Sequence, residues 1–443
     1  MNQINYCYFI RILFDVIQEK KLDNINSILL FYTYSLISYN TLCIYNLKLQ
    51  KFNSEQKKKW YNKLSYYNNK FYDQLILQIN IKLIETINYT IKSDKINHFI
   101  ENEINPNIKN SNDYKEFMNY NITSINEINL FIENEYNKSQ FDNYFMNQDL
   151  SNKLFTDTTN FNKNNMYNCL ISEFDFKDIT NYLLNEYDKV NKTKELIEIL
   201  SFIQNISEEQ KIINVFWIKI INRIGPIGFF NFVIYCYFKN DTYDFSKQIQ
   251  SFFKLNLYLY NGILYSNFAK NIIGNISPYE LLKDNVFQNK IKLNNNFTYS
   301  NNKNSLWFTE YNIKLEDNQI YDYPSEINIL STIGTHVIKN IIGIDTKKVL
   351  MSLNDLEIIL ENSDSYVNNL EIGFYLFPVY LLKSDTYSNE PVLFLKFNDW
   401  NSLFENFTIC YLYMGKVYPS SYNIGRDIGN MILQTIDNNF NNR

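Results

Sequence analysis

Every glycine in this 443-residue chain lies in its second half. The ten glycines run from Gly225 to Gly429, and six of the seven prolines fall at or after Pro226, with Pro106 the exception. Glycine frees the backbone and proline fixes it, so together they are the strongest local punctuation a chain has. A first half almost without them has few means of turning sharply. Its apolar residues must be organised in long helices joined by polar loops. Apolar periodicity agrees, with helical spacing over about 6–18, 24–48, 58–91, 113–138 and 175–205. Two Asn-rich stretches, Asn102 to Asn112 and Asn147 to Asn168, read as linkers.

The second half opens at Ser207-Glu208-Glu209, where a serine cap and two acids suit the positive end of a helix. Helical patterns follow at about 208–222, 227–239 and 244–271. Phe229 to Phe238 is equally compatible with a strand, being rich in aromatic and β-branched residues. Phe252, Phe253, Leu255, Leu257, Leu259, Ile263, Leu264 and Phe268 make a segment apolar nearly all round, as in a helix central to a bundle. From Asn285 to Tyr323 the chain reads as a long loop, with short strands at Ile291–Phe297 and Tyr311–Leu315. Helices resume over Ser325–Ile342 and Leu353–Leu360, an apolar run spans Ile372–Leu382, and helices near 400–413 and 421–437 close the chain. The fold class is mainly α: helical bundles with loop and minor β insertions. The change in punctuation divides the chain into an N-terminal helical domain, 1–205, and a second bundle, 206–443.

Composition excludes several classes. Net charge is −5 with both signs interspersed, which argues against a nucleic-acid binder; Lys57-Lys58-Lys59 reads as a solvated helix face. The longest charge-free stretch, Asn24 to Leu47, carries too many Asn, Ser and Thr residues for a lipid-facing span and reads as a buried helix. Five scattered cysteines (Cys7, Cys43, Cys169, Cys236, Cys410) lack metal spacing and read as reduced thiols. The N-terminus has neither the basic region nor the apolar core of a secretory signal, so the expected location is cytoplasmic. Abundant Asn, Ile, Lys and Tyr are the residues of A/T-rich codons. With one alanine and 37 tyrosines, the core must use Ile, Leu, Phe and Tyr, and each buried Tyr hydroxyl needs a partner.

Three short segments in the second half stand out. They are Lys270-x6-Ser277-Pro278, then Pro324-Ser325-Glu326-Ile327 running into Ser331, then Gly415-Lys416-Val417-Tyr418 followed by Ser421-x3-Gly425-x3-Gly429. In order and internal spacing they resemble the three-part signature of the superfamily uniting vanadium-dependent haloperoxidases, type-2 phosphatidic-acid phosphatases and bacterial acid phosphatases. That signature reads K-x6-R-P, P-S-G-H, and S-R-x5-H followed by D-x3-G. The resemblance covers about Ser207 to Arg443 and implies a helical bundle in which helix ends converge on an oxyanion. It also implies roles. In the superfamily the first-motif Lys and Arg and the third-motif Arg neutralise the oxyanion, the second-motif His is the acid/base, and the third-motif His is the vanadium ligand or phosphoryl nucleophile.

Carried over residue by residue, Lys270, Pro278, Pro324 and Ser325 survive. Ser277 replaces the first Arg, Glu326 the Gly, Ile327 the acid/base His, Tyr411 the second Arg and Val417 the nucleophilic or metal-ligating His. Ser421 stands where the supporting acid belongs, while Gly425 and Gly429 keep the helix-packing steps. The pocket is left with a lone lysine and a new carboxylate. At roughly 4 Å and an effective dielectric near 20, each lost charge contact removes on the order of 4 kcal/mol of gross attraction. Neither Ile327 nor Val417 can take a proton, attack phosphorus or bind a metal. His336 lies too far along its helix to substitute, and His98 reads as exposed.

These replacements imply no catalytic residues, no metal and no cofactor, with vanadate binding lost. They also imply that Lys270 pairs with Glu326, because a buried lysine without its oxyanion would be an uncompensated charge. Three functions remain open: a non-catalytic scaffold or binding protein working as a homo-oligomer or with a protein partner; an active phosphatase or haloperoxidase with a site rebuilt from Lys270, Ser325 and Glu326; and a viral or endosymbiont structural protein. No membrane span is expected in any of them.

Overall fold

The computed structural model describes residues 6–51, 77–110, 112, 114–115, 122–139, 176–239, 245–283, 321–360, 372–379, 382–383, 386–387 and 393–441. The described residues are mainly α-helical, with short strands confined to the region after Val349. The strands expected at Ile291–Phe297 and Tyr311–Leu315, and the linker Asn147 to Asn168, lie outside the described residues. Two compact units emerge: one formed by 1–159 with 237–257, the other by 160–236 with 258–443.

In the first unit, helices α1 (Tyr6–Lys20) and α2 (Asn24–Lys51) are followed by α3 (77–91) and α4 (Asp94–Phe99). Tyr6, Phe9, Ile10, Leu13, Phe14 and Ile17 recur at helical spacing on α1 and are all buried. Aromatic contacts dominate this core: Phe14 meets Phe31 at 5.5 Å, and the Tyr39 ring stacks on Phe253 at 4.4 Å. Tyr34, fully buried, donates its hydroxyl to Asn80 Oδ1 at 2.5 Å, the partner that a tyrosine-rich core demands. Asn102 to Asn112 is not a simple linker. Ile100–Lys109 forms a π-helical segment, because Ile104 and Ile108 are both drawn into the core despite the Asn residues between them. Helix α5 (Ile122–Lys138) then packs on α2.

The second unit carries α6 (Lys177–Tyr187) and α7 (Lys192–Gln204), where the periodicity predicts one helix over 175–205. The break falls at Asn191, whose side chain accepts the Lys194 N–H at 3.1 Å and starts α7 afresh. The predicted pair 208–222 and 227–239 is present as two helical stretches that meet at a kink within α8 (Glu208–Phe238). Gly225 adopts φ 67° and Pro226 follows it, yet the helix resumes and Phe229 to Phe238 is helical, not a strand. Among the described residues α8 is the one helix long and apolar enough to cross a membrane, and 67% of its most apolar stretch is buried in the protein. Helices α9 (Phe245–Ile273), α10 (Pro278–Lys283), α11 (Glu326–Ile342), α12 (Leu353–Ile359), α13 (Trp400–Tyr413) and α14 (Pro419–Asn441) follow.

Strands β1 (Leu350–Met351), β2 (Ile372–Gly373), β3 (Leu376–Val379), β4 (Leu382–Lys383), β5 (Thr386–Tyr387) and β6 (Leu393–Lys396) pair antiparallel as β1–β2, β3–β6 and β4–β5. Val349, Met351, Phe374, Phe377, Val379 and Leu395 are buried from this layer. There they join an aromatic core in which Trp217 stacks on Phe377 at 5.8 Å and meets Phe407 at 5.3 Å. The Trp217 indole N–H is satisfied by Asn406 Oδ1 at 2.6 Å.

Helices α11 and α14 make the most extensive helix–helix contact among the described elements of this unit, and two glycines make it possible. A Cβ on Gly425 would stand 2.7 Å from the Ser325 carbonyl oxygen, and one on Gly429 would stand 2.8 Å from Thr332 Cβ. Gly425→Ala is therefore expected to destabilise the protein by about 1–3 kcal/mol through overpacking. Asn430→Ala, one residue past the second glycine on the exposed side of α14, should be neutral or slightly stabilising because alanine is the better helix former. Urea unfolding of the two variants checks this; equal midpoints would mean the helices can part without cost.

Candidate functional site

Lys270 sits in the last turn of α9, where a cation is favoured by the negative end of the helix. Gly274, at φ 63°, ends that helix and donates its N–H to the Lys270 carbonyl at 2.8 Å. The next residues reach directly toward the second segment. Asn275 accepts the Asp322 N–H at 2.8 Å, and Ile276 bridges Tyr321. Ser277 is engaged in starting the next helix. Its side chain accepts the Glu280 N–H at 3.4 Å and its carbonyl the Leu281 N–H at 3.2 Å, so it starts α10 with Pro278 as the first helical residue.

Ser325 is the N-cap residue of α11, and Glu326 and Ile327 are its first two helical residues; all three are buried. The Ser325 hydroxyl donates to Asn328 Oδ1 at 2.9 Å, and its N–H donates to the Ser421 carbonyl at 3.3 Å. Glu326 Oε2 accepts Lys270 Nζ at 3.0 Å, with side chains only 5% and 7% exposed, so the pair implied by the sequence is present. Ser266 adds a longer contact to the same oxygen at 3.5 Å. The positive end of α11 faces this carboxylate, so helix and lysine both favour its charge.

The third segment closes the arrangement. Tyr411, on α13, offers its carbonyl to the Lys416 N–H at 2.9 Å across the turn at Gly415, and Val417 is buried next to it in sequence. Tyr418 donates its backbone N–H to Asp322 Oδ2 at 2.8 Å and its hydroxyl to the Ile276 carbonyl at 3.0 Å. Ser421, at the start of α14, donates to Asp322 Oδ1 at 2.8 Å. The three segments, separated by up to about 150 residues of sequence, thus meet through Asn275, Asp322, Tyr418 and Ser421.

Two participants change the expected inventory. Asp322, two residues ahead of Pro324, is fully buried, and its carboxyl holds the start of α14 to the start of α11. Burial pushes it up to about 6; the Tyr418 N–H, the Ser421 hydroxyl and the Lys270 charge pull the other way and only partly offset this. Lys416 is the other. It is buried, with Nζ 4.5 Å from the Tyr279 ring centroid. Glu195 also reaches the third segment, its Oε2 accepting the Ser420 hydroxyl at 2.8 Å, so the site holds two lysines and at least three carboxylates, not a lone lysine with one acid. His336 lies off the site, 3.8 Å from Asp437 and 42% exposed, and His98 is exposed on α4.

A crystal structure described as that of the first bacterial vanadium-dependent iodoperoxidase superposes on the chain with TM-score 0.55, over 97% of this chain and 95% of that one, at 11% sequence identity. The chain has a haloperoxidase-like fold. No protein-family model matches it, and no curated protein matches it in sequence. Within this haloperoxidase-like fold, the structural likeness spans both units, whereas the three-segment resemblance begins near Ser207.

Proposed function

We propose that this protein is a non-catalytic relative of vanadium haloperoxidases and acid phosphatases, keeping the helical frame for assembly or binding. One observation carries the reading: the buried Lys270–Glu326 pair, in which the protein's own carboxylate takes the charge an external oxyanion would otherwise supply. The donor set does not fit vanadate. Val417 and Ile327 have no ligating or proton-accepting atom, Ser277 is committed to starting α10, and Lys270 is already bound to Glu326. A tetrahedral anion entering here would have to displace Glu326 from the start of α11 and leave that carboxylate buried without a cation, an unfavourable exchange. What remains is a rigid helical body whose role implies a second copy or another protein as partner.

Purified protein is expected to give background rates in p-nitrophenyl phosphate hydrolysis and in vanadate-dependent oxidation of iodide and bromide. Turnover that vanishes in Lys270→Ala would overturn the reading in favour of a rebuilt hydrolase or oxidase using Lys270, Ser325 and Glu326.

A further inference from the structure

Tyr375 is a phenol fixed in place at the protein surface. It shares the two-residue turn between β2 and β3 with Phe374. Phe374 is fully buried, its ring stacked on Phe377 at 5.4 Å and set against Trp400 at 5.7 Å. The backbone is tied on both sides. Phe374 N–H donates to the Val349 carbonyl at 3.4 Å, and the Tyr375 carbonyl accepts the Phe397 N–H at 3.2 Å. With its neighbour driven into the core, Tyr375 itself stays part-exposed.

Two lysines from separate segments converge on that ring. Lys347, in the single helical turn Thr346–Lys348, places Nζ 4.5 Å from the ring centroid, and Lys396 on β6 places its own at 5.2 Å. A hydrogen bond from Lys396 does most to hold the phenol below the ordinary tyrosine value. Slight desolvation opposes it, and the charges of Lys396 and Lys347 add to it. Exposed Asp345 pulls the other way and offsets part of the effect without reversing it. Lys348 is turned back to the Ile342 carbonyl at 3.3 Å. A cation over a neutral ring is ordinary packing. A cation that also bonds the phenol oxygen favours the phenolate, which is the nucleophilic form.

We propose that Tyr375 is a site of covalent modification, its phenolic oxygen accepting an acyl group from a small activated acyl donor. The phenol proton passes to solvent, and the phenolate oxygen forms a bond to the donor's carbonyl carbon. The bond from that carbon to the leaving group breaks, and the leaving group departs with the electron pair. Lys347 and Lys396 act by raising the fraction of phenolate present near neutral pH. The rigid turn keeps the ring between them at the surface, where a donor can reach it. The proposal is independent of the Lys270–Glu326 site.

Acetylation of the full chain by N-acetylimidazole, read peptide by peptide in a mass spectrometer, tests it. Hydroxylamine strips acetyl from tyrosine oxygen and leaves acetyl-lysine, so the ester is scored alone. Tyr89, 83% exposed on α3, is the internal reference, and Tyr375 should react faster although it is less exposed. Lys347→Gln with Lys396→Gln should slow Tyr375 about threefold relative to Tyr89 and move its pH profile upward. Asp345→Asn keeps an acceptor for the Lys347 N–H but loses the charge, and should speed Tyr375 about twofold. Both effects should shrink as salt rises. The three substituted side chains are exposed, so the far-ultraviolet circular dichroism should not change. A Tyr375 rate that ignores the loss of both lysines, a rate lowered by Asp345→Asn, or a parent in which Tyr89 reacts first would each overturn the proposal.

Discussion

Replacing Glu326 with glutamine is expected to remove about 3–5 kcal/mol of folding stability, because the buried Lys270 charge then loses the carboxylate it is paired with at 3.0 Å. Lys270→Met should cost a similar amount for the mirror reason, stranding the carboxylate at the start of α11. The informative variant combines Lys270→Met with Glu326→Leu. Removing both charges together also removes both desolvation penalties, so the double variant is expected to lie within about 1–2 kcal/mol of the parent, on either side. Chemical denaturation of the four proteins gives the coupling directly. Additive losses would mean that the two side chains do not depend on each other, and the account of an internal carboxylate in the place of an oxyanion would fail. The same pair makes a second measurement possible: Glu326→Gly removes the carboxylate paired with Lys270, and isothermal titration with orthophosphate reads whether the frame has any affinity for a tetrahedral anion.

Asp322 gives the second large effect. Its carboxyl is raised to about 6 in the folded protein, above the ordinary carboxylate value near 4, so folding favours its protonated form. The contribution is fully present below about pH 4 and is lost as pH rises through about 6. Over that whole range it amounts to on the order of 3 kcal/mol, of which about 2 kcal/mol falls between about pH 4.5 and 7.5. In Asp322→Asn the titration is gone. The stability advantage of the parent over this variant should therefore shrink by about 2 kcal/mol from about pH 4.5 to 7.5, other titrating groups cancelling in the difference. An advantage that stays constant with pH would show that Asp322 titrates as an exposed carboxyl does. The loss of hydrogen bonds from Tyr418 and Ser421 adds a part that does not depend on pH.

The sequence carried the pairing of Lys270 with Glu326 because both sit at fixed offsets inside short segments, and those offsets are enforced by helix ends. Spacing could not announce Asp322. Its role depends on where the turn before Pro324 aims a side chain, and on two donors almost a hundred residues away. Ser277 was legible in its local setting: a serine before a proline is a helix start whatever site it adjoins. Composition misled after Ile100, where the Asn residues read as linker but two isoleucines four apart kept the backbone helical, whereas Gly225-Pro226 does mark a break between two helical stretches. The helices among the described residues of the first half followed from missing punctuation together with apolar periodicity, while lengths and breaks such as Asn191 needed the caps themselves.

The division of the chain has a consequence for how it can be cut. The first unit is not a contiguous stretch: 237–257 returns to it after the chain has entered the second. That returning strip carries Phe252 against Tyr6, Phe253 against Tyr39, and Gln248 beside Cys7. A fragment ending at Thr159 would lack these partners and present Tyr6, Cys7 and Tyr39 to water. A fragment starting at Asn160 would carry Phe252 and Phe253 without Tyr6 and Tyr39, which pack on them. Each half thus holds a piece the other needs, and the protein is a poor subject for domain-by-domain expression.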